Sequence, residues 1–232
     1  MIKKALDFDI IPANFEDAKE NLVLKLDNVH NIFVSKDDLQ SKLRPLPLAY
    51  IADDLVLTCQ LDFPAEDKNY IASVKINEDL LKLWGIDQSA LLDAAIRNCN
   101  DKMPYTFNRL EDYLPLQEED ANGMLWILSN TKTRYGASVV AYYGLLEHIA
   151  NDCFDHEDLY LIPSSVHEFI VIPASIAEDL SLNELHGVES INDTINSVNS
   201  TAVMDKDVLS DHLYKYSCHE LEHRTFLLES IR

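Results

Sequence analysis

Glycine is scarce in this chain, with five residues in 232. So few leave no Gly-rich phosphate loop and no Gly/Ser linker, and with no visible boundary one domain over residues 1–232 is expected. Cysteine is as sparing. Cys59, Cys99, Cys153 and Cys218 lie far apart with no C-x-x-C pair, which points to a reduced, cytoplasmic chain rather than a disulfide framework. No apolar run approaches the ~20 residues that span a bilayer. Asp7 and Asp9 break the apolar residues after Lys3 and Lys4, so no signal peptide is expected. Basic residues are the largest deficit: nineteen Lys and Arg face forty Asp and Glu, a formal charge of −21. Such a surface repels nucleic-acid phosphates and anionic membranes, and it attracts basic patches on proteins. Acidity serving solubility alone is the plainer alternative.

The rest of the composition suits a globular core, with 47% hydrophobic and 25% charged residues. Asn14 reads as the cap of a short helix over residues 15–19. Leu22, Leu24 and Leu26 alternate with Val23 and Lys25 as in a half-buried strand. Leu55, Leu57, Cys59 and Leu61 repeat that pattern. Tyr70, Ala72, Val74 and Ile76 come after a polar, Pro-containing turn, so the two runs predict an antiparallel hairpin. Asn77 and Asp87 cap two helices joined through Gly85, the second carrying Leu91, Leu92, Ala95, Ile96 and Cys99 on one side. Residues 103–107 predict a short strand. Ser181-Leu-Asn-Glu184 has the pattern of a capping box that opens a helix carrying Val188, Ile191, Ile195 and Val198, with Gly187 inside it. Leu209–Tyr214 leads to a last strand, and residues 218–232 read as a terminal helix.

The centre of the chain is Gly123–Pro173. Met124–Leu128, Leu159–Ile162 and Phe169–Ile172 are apolar on both faces, as strands inside a covered sheet are. A polar break at 129–136 precedes a further strand that runs into a helix. The runs MLWILSN, RYGA, YYG and PSSVHE in this stretch, with the helix–Trp84-Gly85–helix segment, resemble a domain-of-unknown-function family of acidic Firmicutes proteins over about residues 20–216. The resemblance implies a fold neighbourhood and no activity. Its firmest points include Tyr135, Gly136, Ser164, Ser165, His167 and Glu168, to which it assigns no role. The fold expected is α+β: a largely antiparallel sheet of about six or seven strands with helices packed mainly on one side.

Three features invite a chemical reading. His219-Glu-Leu-Glu-His223 is a literal H-E-x-x-H; on a helix, His219 and His223 would share a face and hold zinc while Glu220 polarised its water. A zinc-dependent hydrolase is therefore the alternative reading, with no cofactor as the leading one. The motif is short, and the family resemblance does not include it. Ser165 and His167 stand two apart and would share a face if extended, but no nucleophile elbow or oxyanion hole accompanies them. Serines tying down a turn between strands explain them more simply. Finally, Glu111, Asp112, Glu118, Glu119 and Asp120 crowd a surface loop that could meet a basic protein partner. With no catalytic pattern above background, the leading reading is a non-enzymatic protein-binding or regulatory module. Its sharper form is a nucleic-acid mimic that blocks a basic site on a host or defence protein.

Overall fold

The computed structural model describes residues 11–29, 32, 46–64, 71–113, 125–182, 184–219 and 225–232. Their elements run α1 (Phe15–Lys19), β1 (Leu22–Asn28), β2 (Ala49–Tyr50), β3 (Leu55–Pro64), β4 (Ile71–Lys75), α2 (Glu78–Trp84), α3 (Gln88–Lys102) and β5 (Tyr105–Arg109). Next come β6 (Trp126–Asn130), α4 (Leu145–Phe154), β7 (Leu159–Ser165), β8 (Glu168–Pro173), α5 (Ala174–Asp179), α6 (Leu185–Thr201), β9 (Leu213–Tyr216) and β10 (Glu229–Ile231). The class is α+β.

The strands divide between two antiparallel sheets rather than forming one. In the smaller sheet β3 is central. It pairs with β1 along one edge, Leu24 opposite Cys59, and with β2 and β4 along the other. Leu22, Leu24, Leu26, Leu55, Leu57, Cys59 and Leu61 all enter the core, as their alternation requires. Helix α3 covers the outer edge of β1: the Leu24 N–H donates to Cys99 Sγ (3.2 Å) and Asn98 Nδ2 donates to the Leu22 carbonyl (2.7 Å). That shields an edge that would otherwise offer free backbone groups. Helices α2 and α3 keep their expected caps, with Asn77 Oδ1 accepting from Leu80 N and Asp87 Oδ1 from Ala90 N.

The larger sheet runs β10-β9-β7-β8-β6-β5. Alternate side chains of β7 go to opposite faces. Leu159 and Leu161 join the main core, while Tyr160 meets Ile172, Ala177, Leu182 and Leu213 in a second cluster. Helix α4 packs on the first face, where Phe154 sits edge-on to Trp126 (4.7 Å) and to Phe107 (6.0 Å). Each such pair contributes about 0.5–1.5 kcal/mol beyond area burial. Helices α5 and α6 cover the second face with Ile176 and Ile191. Both faces of this sheet therefore carry helices, where packing mainly on one side was expected.

Three local expectations are corrected. Residues 136–141 form a buried 3₁₀ turn, not a strand; Ala137, Val139 and Val140 are enclosed on all sides, so their apolar run has no period to read. Ser181 is not the cap of α6: the helix starts at Leu185 behind Glu184, without a side-chain cap bond, and Ser181 adopts φ +56°. Its carbonyl lies against Gly187, where any Cβ would collide with it. The described residues of 218–232 hold no helix: 218–219 and 225–228 are bends, and 229–231 form β10, which pairs with β9.

Candidate functional site

The break between β6 and the 3₁₀ turn is shaped by Asn130, which is almost wholly buried. Its Oδ1 accepts from Lys132 N (2.9 Å) and Arg134 N (3.4 Å), and its Nδ2 donates to the Arg134 carbonyl (2.9 Å). This loop holds Thr133 at φ +50° and Tyr135 at φ +54°, left-handed geometry that costs a non-glycine residue about 1–2 kcal/mol. The next residue, Gly136, lies so close to the His167 carbonyl and Ser129 Oγ that no side chain would fit. The loop is thereby pressed against the β7–β8 turn, which carries Ser164, Ser165, His167 and Glu168.

All six family-motif residues thus meet in one place. His167 Nδ1 accepts from the Tyr135 N–H (3.1 Å), and the two rings stack at 6.0 Å. An accepting Nδ1 leaves the proton of the neutral ring on Nε2, which faces Asp207 Oδ1 at 3.6 Å. Ser129 Oγ donates to the His167 carbonyl (2.8 Å). Ser165 Oγ accepts from the His167 main-chain N–H (3.1 Å), and Ser164 Oγ donates to Glu168 Oε1 (3.1 Å). A β-bulge between Pro163 and Ser165 lets proline sit in an interior strand. Ser165 and His167 therefore touch through the backbone and not as a nucleophile–base pair; the serines bind the turn.

The same loop reaches the smaller sheet. Arg134 pairs with Asp62, which also accepts from Gln60 Nε2 (2.7 Å) and Ser73 Oγ (2.6 Å). Arg134 and Lys25 both lie over the Tyr135 ring, at 4.6 and 5.5 Å from its centroid. Lys25 pairs in turn with Asp27, whose carboxylate accepts from Thr58 Oγ1. Burial opposes the charge on Arg134, yet the Asp62 carboxylate outweighs it and holds the guanidinium above its ordinary pKa. The arrangement is a polar clasp between the two sheets.

Of the acidic loop, Glu111 and Asp112 are described, and Glu111 is paired with Arg109 (3.0 Å). Glu118, Glu119 and Asp120 lie outside the described residues. So do Glu220 and His223; His219 is exposed and stands in a bend after β9 rather than in a helix. Among the described residues, the group placed to hold a metal ion is Asp53, Asp54 and His212. No element of the sequence signalled it, because His212 stands 158 positions from Asp54 and nothing local marks the pair.

A second feature passed over in the sequence is the distribution of charge. Between Arg134 and Lys206 there is no Lys or Arg, while twelve Asp and Glu occur. That stretch contains α4, α5 and α6, on which Glu147, Asp152, Glu178, Asp179, Glu189 and Asp193 are exposed. Of the twelve, Asp158 is paired with Lys215 from β9 (2.8 Å); elsewhere Lys19, Lys82 and Arg97 are each neutralised by a nearby carboxylate. Among the described residues, no helix is long and apolar enough to cross a membrane.

Neither the curated proteins nor the solved structures compared with the chain include a match. A family model does match, over residues 3–218. Its span takes in the loop at Tyr135-Gly136, the Pro163–Glu168 turn and both sheets. The chain belongs to the family of unknown function DUF5688.

Proposed function

We propose that the chain is a non-enzymatic protein-binding or regulatory module of the cytoplasm, whose acidic surface engages a basic protein partner. The observation that carries this reading is the cation-free stretch between Arg134 and Lys206, with twelve carboxylates and three helices. A segment that contributes no positive side chain of its own over so many residues projects a field that steers a basic partner inward. Cys59, Cys99 and Cys218 are buried thiols and Cys153 an exposed one, which suits a reducing compartment. The clasp at Tyr135 and His167 supports a structural role for the family motif, since the Ser165 hydroxyl and His167 Nδ1 are spent on the chain's own backbone and the Ser164 hydroxyl on Glu168.

In the sharper form, the carboxylates stand in for phosphates and occupy the nucleic-acid site of a host or defence protein. The test is affinity capture on the immobilised full chain, followed by titration of the purified partner between 50 and 300 mM salt. The Glu184→Gln/Glu189→Gln/Asp193→Asn variant and competition with duplex DNA complete it. The reading expects affinity to fall steeply with salt and in the variant, and the mimic expects DNA to compete. Binding indifferent to salt and to the variant would refute it.

The alternative, a zinc-dependent hydrolase using His219, Glu220 and His223, rests on the motif alone. Zinc bound by the native chain and lost in His219→Ala/His223→Ala would favour it.

A further inference from the structure

Asp53 and Asp54 occupy the turn between β2 and β3, and His212 stands immediately before β9, so one side chain of the larger sheet meets two of the smaller. One ligand atom from each lies within 4.8 Å of the other two. His212 is 6% exposed. Its Nδ1 sits 2.8 Å from Asp211 Oδ1 and 3.3 Å from Ser210 Oγ, and the tautomer suited to ligation is the one in which Nδ1 donates to Asp211. The neutral ring then bears its lone pair on Nε2. That atom is fully buried, has no hydrogen-bond partner, and faces Asp54 Oδ2 at 3.4 Å. Two acceptors facing each other in a buried site cost stability unless something positive lies between them.

The surroundings hold these groups in position. Tyr214 donates to the Asp54 carboxylate (2.9 and 3.0 Å to its oxygens), and Asn28 Nδ2 donates to Asp54 Oδ2 (3.1 Å). Burial and the Asp54 charge push the Tyr214 hydroxyl far above its ordinary pKa, so it remains a donor. Asp53 is bound by Ser230 Oγ and by Arg232 Nη2 (2.9 Å). A cleft of about 330 Å³, lined by Asn28, Asp54, Ser210, Asp211, His212 and Arg232, gives solvent access.

We propose that Asp53, Asp54 and His212 bind a divalent first-row metal ion, Zn²⁺ or Mn²⁺. Two carboxylates with one imidazole suit these ions, whereas Mg²⁺ and Ca²⁺ prefer oxygen alone. Asp211 completes the carboxylate–histidine–metal relay that orients a ligating ring. Bonds of about 2.0–2.2 Å would bring the three ligand atoms to about 3.5 Å apart, a closure within the reach of side-chain rotation. Arg232 is the resident competitor. It sits 2.9 Å from Asp53 Oδ2 and 4.0 Å from Asp54 Oδ2, so metal entry displaces its guanidinium. Bound metal would tie the β2–β3 turn to the start of β9. This inference is independent of the acidic-surface reading.

The experiment is calorimetric titration of chelator-treated full chain with Zn²⁺ and with Mn²⁺, the latter also followed by electron paramagnetic resonance. It is done in the native chain and in a His219→Ala/His223→Ala background, which removes the other histidine motif. We expect one ion per chain in both backgrounds. Asp53→Asn, at an exposed position that does not endanger folding, and His212→Gln should each weaken binding at least tenfold; Arg232→Gln should tighten it. Absence of a stoichiometric ion, loss of binding in the His219/His223 background, or indifference to Asp53→Asn would overturn the proposal.

Discussion

Replacing Gly136 with alanine tests the contact on which the clasp depends. A methyl group at 136 falls well inside van der Waals distance of Ser129 Oγ and the His167 carbonyl, and 3.0 Å from Asn130 N. Ser129 can rotate aside only by giving up its 2.8 Å bond to that carbonyl, a loss of about 1 kcal/mol. The carbonyl belongs to the β7–β8 turn, so relieving it shifts backbone, and overpacking of this kind costs about 1–3 kcal/mol. The sum is about 3 kcal/mol, which for a chain of this size lowers Tm by roughly 6–12 °C. Gly85→Ala is the control. Gly85 has φ +67° with open space around its missing side chain, so the cost there is left-handed backbone alone, about 1 kcal/mol. Thermal unfolding followed by circular dichroism compares the two. If Gly136→Ala melts within a few degrees of the native chain, or above Gly85→Ala, the loop is not pressed against the turn.

Further outcomes concern charge and reactivity. Arg134→Met should lose about 1.5–3 kcal/mol in denaturant unfolding, the range for a hydrogen bond to a charged group, because it strips Asp62 of its partner across the sheets. Asp158 is opposed by burial but held below its ordinary pKa by Lys215 (2.8 Å) and by the Cys218 N–H. Its pKa is depressed on folding, so its contribution is present above about pH 3.9 and lost as pH falls through the folded value. Asp158→Asn should therefore lower stability at pH 6 and flatten its decline towards pH 3, read from denaturation midpoints. Burial drives the Cys99 thiol up to about 11 and raises Cys59 further still, while Cys153 is exposed. A thiol reagent should label Cys153 first in the native chain and the other three only on unfolding; rapid labelling of Cys59 would contradict the core.

Local grammar was legible in the sequence where one residue decides an outcome. Asn77 and Asp87 cap helices because a short oxygen-bearing side chain reaches the first free N–H groups, and the alternation in β1 and β3 reflects burial of one face. The family motif was visible as residues, though not as a clasp, because Arg134 meets Asp62 across 72 positions. The failures were decided at long range. β10 is three residues long and extended only because β9 offers it an edge. The histidine spacing at 219 and 223 suggested helix, yet 217–219 leave β9 without one. Ser181–Glu184 has the letters of a capping box, but close approach of the Ser181 carbonyl to Gly187 uses that chain reversal for packing. The Asp53–Asp54–His212 group was invisible for the same reason: its members are assembled by contact between sheets.

The central claim is that the uncompensated acid is a binding surface. Its most direct test is the affinity of the native chain for its captured basic partner, measured at 50, 150 and 300 mM salt beside the Glu184→Gln/Glu189→Gln/Asp193→Asn variant. The account predicts affinity that drops steeply with salt in the native chain and a weaker, flatter dependence in the variant. Equal affinities for the two chains at every salt concentration would contradict it and leave the acidity a matter of solubility.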